Sequence, residues 1–291
     1  MKKLIDLHIH TIYSDGELTP NEVLELAKEN NVGLFSITDH DTLMGVKKLL
    51  ETYDKNEIRF IPGIEMTGKI DKGQLHILGY DFDVFNEKLN AVLDKLHNVS
   101  IEKVRMMVDY LLEKYNIKFT DEELNKLYNP IGDVGRPEIA KLLIKHGYVQ
   151  NVKEAFEKYL FEAHDHVRNK AFYLEAKEVI ELIIDANGIP ILAHPISLKK
   201  DMNELENYIV ELVEYGLAGI EVYHPDQPME YRVQLLNLAH RYGLLVTGGS
   251  DYHGPVVKPH ITLGHGIKNN NIIIDLNITN YLNDKGHHYV K

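Results

Sequence analysis

Apolar and polar residues alternate through Leu4-Ile5-Asp6-Leu7-His8-Ile9-His10, the period of a half-buried strand. Thr19-Pro20-Asn21-Glu22 then has the marks of a helix start: a capping hydroxyl, a proline suited to the first turn, and a glutamate completing a capping box. Val23, Leu24, Leu26 and Ala27 give that helix its apolar face, and it runs out near Asn31-Val32-Gly33. Leu34-Phe35-Ser36-Ile37-Thr38 reads as the next strand and ends directly on Asp39-His40. Strand, helix and strand at this spacing form a βαβ unit, so a parallel sheet is expected. Two more strands follow, Ile58–Pro62 leading to Glu65, and Leu75–Tyr80.

From about Asn86 to Tyr173 the pattern is helical, with helices expected near 87–115, 120–128, 137–146 and 151–160. The alternation then resumes. Glu175–Asn187 is an amphipathic helix closed by Gly188. Ile189–Ala193 is a strand ending on His194-Pro195, and a helix over 202–215 precedes the strand Gly219–Tyr223, which ends on His224. A helix over 228–242 precedes the strand Leu244–Gly249, which ends on Ser250-Asp251-Tyr252-His253. The organisation expected is α/β, residues 1–85 and 174–291, interrupted by a helical insertion over 86–173.

Length and composition narrow the function. At 291 residues the chain can bury one large core. No stretch reaches the roughly 18 apolar residues of a membrane span, and Asp6 and His8 break the apolar run after Met1-Lys2-Lys3, so neither membrane nor signal peptide is expected. Cysteine is absent, which excludes disulfides, thiolate ligands and a cysteine nucleophile, and a cytoplasmic location is expected. A net charge of −12 argues against a broad grip on duplex nucleic acid. The sequence carries no signal of oligomeric state.

Against that acidic balance stand 16 histidines. Several fall where ligands sit in α/β folds, beyond the carboxyl ends of parallel strands. His8-Ile9-His10, Asp39-His40, His194-Pro195 and Asp251-Tyr252-His253 each close a strand, and Glu65 and His76 lie at or within two others. An H-x-H pair on a strand turns both imidazoles to one face, about 6–7 Å apart along the chain, close enough to share an ion. One such pair is weak evidence; four strand ends of the same chemistry make a metal centre the reading. Imidazole and carboxylate donors suit Mn²⁺, Fe²⁺ or Zn²⁺. The candidates exceed what one ion needs, so two or three divalent ions are expected, in the manner of phosphoryl-transfer centres. Asp39 is read as orienting His40. His224 ends a strand and is a weaker candidate for the pocket wall. His97, His146, His164, His166, His240, His260 and His265 read as solvated or satisfied in the core, and His287-His288 as a polar tail.

These motifs, in order, resemble the PHP family, named for polymerases and histidinol phosphatases. The likeness rests on Asp6-Leu7-His8-Ile9-His10 with Ser14-Asp15-Gly16, Thr38-Asp39-His40-Asp41, Gly63-Ile64-Glu65, Leu75–Gly79, Ala193-His194-Pro195 and Gly249–Gly254. Gly135-Arg136-Pro137-Glu138-Ile139-Ala140 and Ala155–Leu160 resemble the insertion of stand-alone members acting on nucleotides. The resemblance implies a distorted seven-stranded βα barrel, with the insertion covering the active site. It also implies three metal positions: His8, His10, Glu65 and Asp251; then Glu65 shared with His76 and His194; then Asp15, His40 and His253.

The function so implied is hydrolysis of a nucleotide phosphomonoester, such as a nucleoside 3′,5′-bisphosphate, or of the 5′ end of a short oligonucleotide, by metal-bound hydroxide. Asp251, or a carboxylate behind the ligands, is assigned the water's proton, and His253 or His40 departure of the leaving oxygen. Arg136, with Gly135 at a helix N-terminus, is read as an anion site. Ser100, Lys103 and Arg105 are read as further phosphate contacts, a thinner basic set than related enzymes carry. Three alternatives stand beside this reading. Histidinol phosphate fits less well with the Gly-Arg-Pro insertion. An amidohydrolase on the same barrel lacks a strand-end lysine to carbamylate, a bridging task that Glu65 can perform. A non-catalytic module would have lost ligands, and here every expected position is filled.

Overall fold

In the computed structural model, which describes residues 4–54, 58–130, 132, 134–168 and 172–267, Thr19 and Glu22 form the reciprocal cap expected of them. Seven strands, β1 (Leu4–Asp6), β2 (Val32–Ile37), β3 (Arg59–Gly68), β4 (Leu75–Tyr80), β5 (Ile189–Leu192), β6 (Gly219–Tyr223) and β7 (Leu245–Gly248), pair in chain order. The first strand is shorter than its alternation suggests, and His8 and His10 lie just beyond it. β3 is longer, so Glu65 sits inside the strand. Beyond the edge strands, Leu7 N–H donates to Gly248 O (3.2 Å), Asp251 N–H to His8 O (2.9 Å) and His10 N–H to Tyr252 O (2.9 Å). The two edges thus meet, giving the distorted barrel.

The sheet is not wholly parallel. β4 runs antiparallel to both β3 and β5. Alternation carries no information on strand direction, because side chains alternate with period two in either sense. The reversal brings the start of β4, and with it His76, to the end of the barrel where the parallel strands finish.

Around the sheet run α1 (Pro20–Glu29), α2 (Met44–Leu50), α8 (Ala176–Asp185), α9 (Met202–Glu214) and α10 (Met229–Tyr242). The short α2 has no cap signal and was not foreseen; Val46 and Leu49 bury it. Alternation divides the strand residues between two cores. Phe35, Ile37, Phe60, Ile64 and Ile77 pack with helix residues such as Val23, Leu24 and Ile183. Ile5, Leu7, Leu34, Ile61, Leu78, Tyr80 and Ile191 meet one another on the opposite face.

The segment between β4 and α8 builds its own core. α3 (Glu87–Tyr115) sends Leu89, Leu93 and Leu96 to the main core and Val104, Met107 and Leu111 to a second one. α4 (Asp121–Tyr128) and α5 (Arg136–Lys145) complete that core with α6 (Val152–Ala155), a π-helical turn (Phe156–Leu160) and α7 (Phe161–Arg168). The last three run on from one another, so the final helix continues past the expected end at 160. Among the described residues, no helix is long and apolar enough to cross a membrane.

Candidate metal centre

Glu65, buried in the middle of β3, is the hub. His8, His10 and His40 place ring nitrogens 3.1, 3.2 and 3.3 Å from its Oε2. His76 and His194 each approach Oε1 to 2.8 Å. Asp251 Oδ1 lies 3.6 Å from His8 Nε2 and 3.2 Å from His10 Nε2. Asp15 lies 3.2 Å from His253 Nε2, 3.4 Å from His10 Nδ1 and 3.9 Å from His40 Nε2. All nine residues expected to bind metal are thus brought together. Three sets have ligand atoms close enough for one ion: His10, Asp15, His40 and His253; His8, His10 and Glu65; and His40, Glu65 and His76. His10 and His40 each fall in two sets, so the partition is less clean than the family resemblance implies.

The backbone is bent to make this cluster. His194 (φ 22°) and Asp251 (φ 51°) occupy the left-handed region, which costs a non-glycine residue roughly 1–3 kcal/mol in a strained site. Each is held there by a specific bond: His194 N–H to Glu221 Oε2 at 2.8 Å, Asp251 N–H to His8 O at 2.9 Å. Gly249 lets the last strand pass His8 closely, since a Cβ there would stand 2.3 Å from His8 Cβ.

The donor set fits divalent cations. His8 turns Nδ1 to Glu221 Oε1 (3.0 Å) and His194 turns Nδ1 to Ser197 Oγ (3.0 Å). His253 Nδ1 meets the Asp251 carbonyl (2.8 Å), which only accepts, so its Nδ1 carries the proton. In all three rings Nε2 is left facing the cluster, the arrangement that fixes a metal-binding tautomer. Asp15 Oδ1 and His40 Nδ1 are buried with no aligned hydrogen bond, as expected of donors aimed at an ion.

The electrostatics agree. Burial raises the Glu65 carboxyl, but His40, His8 and His76 outweigh it and hold it well below the usual range. Burial likewise opposes ionisation of Asp251, and Lys258 and His253 overcome it. Burial depresses His10, yet its bonds to Asp251 and Glu65 push it up to about 9. The carboxylates therefore create a field that demands positive charge, which a divalent ion satisfies while leaving the imidazoles neutral.

Three neighbours were not singled out in the sequence, or only weakly. Glu221 supports both His8 and the His194 backbone. His224 Nε2 sits 3.1 Å from Asp251 Oδ2, and Lys258 pairs with the same oxygen. His224 had a strand-end signal; Glu221 and Lys258 had none beyond their types.

Other expectations need correcting. Asp39 does not touch His40. It accepts from Thr11 N–H, Thr11 Oγ1 and Ser14 Oγ, each at 2.7 Å, and so shapes the turn that carries Asp15. His40, just beyond β2, instead bridges to Glu65 and turns its ring to that carboxylate. Ser100, Lys103, Gly135 and Arg136 line a cleft of about 1260 Å³ above the cluster. Arg105 does not; two residues beyond Lys103 on α3 it faces away, with its guanidinium over Tyr128 at 4.3 Å. The Gly135 N–H is engaged by Glu138 (2.9 Å) and is not open to an anion. His164 lines the cleft, while His146 pairs with Glu123 at 2.8 Å.

A PHP domain matches residues 6–179. The chain is 30% identical to a 5′-3′ exoribonuclease of Haemophilus influenzae, over 88% of this chain and 92% of that one. It is 28% identical to a phosphoribosyl 1,2-cyclic phosphate 1,2-diphosphodiesterase of Eggerthella lenta, over 88% and 97%. A solved structure from Bifidobacterium adolescentis, described provisionally as a metal-dependent phosphoesterase, superposes with a TM-score of 0.79 at 27% identity, covering 93% and 94%.

Proposed function

The chain belongs to the PHP family and is a metal-dependent phosphoesterase, and from that premise we propose that it hydrolyses a nucleotide phosphate ester. The substrate in this reading is a nucleoside 3′,5′-bisphosphate or the 5′ end of a short oligonucleotide. The observation that carries it is Glu65, with imidazoles on both carboxylate oxygens at the floor of a cleft whose walls carry Arg136 and Lys103. The likeness to an exoribonuclease supports a nucleotide substrate.

His8, His10, Glu65 and Asp251 would hold one ion, Glu65, His76 and His194 a second, and Asp15, His40 and His253 a third; imidazole and carboxylate donors suit Mn²⁺, Fe²⁺ or Zn²⁺, and Mn²⁺ is the first choice in this reading. Bound ions supply an activated water at neutral pH and offset phosphate charge. The chain's own groups do the rest. Arg136 and Lys103, with Ser100 beside them, bind and orient phosphate oxygens in a protein whose net charge otherwise repels them. Asp251 is held by Lys258 and His224 on Oδ2 and turns Oδ1 to the cluster, placing it to accept a proton. His253 spends its Nδ1–H on the Asp251 carbonyl and acts as a ligand rather than as the leaving-group donor.

A phosphate-release screen with Mn²⁺ tests this, over nucleoside bisphosphates, short 5′-phosphorylated RNAs, histidinol phosphate and cyclic amides. Release from the nucleotides is expected to lead. Turnover of a cyclic amide alone, or of histidinol phosphate alone, would overturn the proposal.

A further inference from the structure

The cleft is lined on the insertion side by aromatic rings that the chemistry at the cluster does not use. Phe161 is 52% exposed and Phe172 40% exposed, and both line the cleft with Phe156 and Tyr173. A single exposed phenylalanine is ordinary on a protein surface. These are placed otherwise. Phe156 and Phe161 stand edge to face with centroids 5.6 Å apart, and the Arg136 guanidinium lies 5.3 Å from the Phe156 ring.

The π-helical turn makes this pair. Phe156 and Phe161 are five residues apart, and at about 100° per residue an α-helix would set them roughly 140° apart around the axis. The π turn closes instead with the Phe161 N–H bonded to Phe156 O, an i→i+5 bond that brings both rings to one side. Such a turn recurs at functional sites because it interrupts an otherwise regular helix. Here it sets the more exposed ring, Phe161, beside the Phe156 ring that the guanidinium approaches. On the same cleft, Lys103 Nζ stands 4.7 Å from the Tyr173 centroid, while Lys95, outside the lining, sets its Nζ 4.0 Å from the centroid of Phe172. Alternating cations and open aromatic faces are the combination that binds single-stranded nucleotides without reading their sequence.

We propose that Phe161, set beside Phe156 by the π turn on the cleft that Arg136 also lines, is a stacking platform for the nucleobase of the substrate. This rests on the reading of Arg136 as a phosphate contact, and it narrows the substrate class from phosphate esters at large to those carrying a base within reach of the phosphate. Any base is accepted, since every base offers a π face.

The test is calorimetric binding of adenosine 5′-monophosphate and of ribose 5-phosphate to the Mn²⁺-loaded enzyme, run beside phosphate release from a nucleoside 3′,5′-bisphosphate. The wild type is expected to prefer the monophosphate. Phe161→Ala is expected to cut that preference by roughly 5- to 150-fold, the range of one base–aromatic stack, and Phe161→Trp to keep it. Phe161 is half exposed, so the alanine variant should fold; its melting temperature checks this. A preference unchanged in Phe161→Ala, or absent from a wild type that still releases phosphate, overturns the platform alone. A wild type that releases phosphate from no nucleotide overturns the reading beneath it, and the platform with it.

Discussion

His8, His194 and Asp251 are each held by side chains outside the centre, Glu221, Ser197 and the His224–Lys258 pair, and mutation separates the two kinds. His8→Ala and Asp251→Ala are expected to abolish phosphate release and to lower the metal retained after dialysis, read by elemental analysis; full activity in either removes the assignment. Glu221→Gln keeps the shape but gives His8 Nδ1 a weaker partner, so metal affinity should fall by roughly 10–100-fold. Arg136→Ala is expected to raise KM with little change in kcat, since a contact made equally in ground and transition states affects binding alone. At this scale the sequence was legible where chemistry is concentrated at strand ends: His8, His10, His40, His194, Asp251 and His253 could be picked out before any coordinates. It was not legible where the role depends on a partner far along the chain. Glu221 is one of many acidic residues until the fold brings it to His8, and Asp39 misleads because its partners, Thr11 and Ser14, lie on a different segment from its neighbour His40.

Among the elements, strands and most helices follow from alternation and caps, and Thr19 and Asp201 each open a helix with a reciprocal box. Strand direction does not follow, nor does the π turn, because both depend on hydrogen bonds that no side-chain period records. Within the insertion, α3 and α7 are clamped at an exposed point, where Glu162 of α7 meets Lys114 and Tyr115 of α3. Those bonds lower the Glu162 carboxyl from its ordinary 4.5 to about 2. Its folded value lies below its unfolded one, so the stabilisation is full above about pH 4.5 and lost as the pH falls towards 2. Glu162→Gln is expected to flatten the acid limb of a stability-against-pH curve across that window and to leave the shape above pH 5 unaltered. Denaturant titrations at a series of pH values read this directly; an unchanged acid limb would show the clamp to be idle.

Over the whole molecule, the centre draws on β3, the start of β4 and the segments that follow β1, β2, β5 and β7. Ions gripping all of them bind the folded chain and not the unfolded one, and so stabilise it by mass action. Chelation is expected to lower the melting temperature by several degrees and Mn²⁺ to restore it, followed by differential scanning fluorimetry; a melting temperature indifferent to both would mean that these residues hold no ion.

The reversal of β4 also decides what guards the entrance. Because β3 and β4 are joined by a hairpin, residues 69–74 form a lip at the mouth, with Gly73 at φ 81° passing so near Ser197 O that a Cβ would stand 2.4 Å away. That lip is latched: Gln74 N–H donates to Ser197 O at 3.0 Å and Ser197 Oγ returns to Gln74 O at 2.9 Å, while the same hydroxyl steadies His194. Asp71 and Lys72, exposed at the tip, take no part in that latch, so a substitution there can alter what reaches the cleft without disturbing His194. The hinge at Gln74 and Ser197 is tied to the hearth of the enzyme, so selection can redecorate the doorway without moving the doorpost.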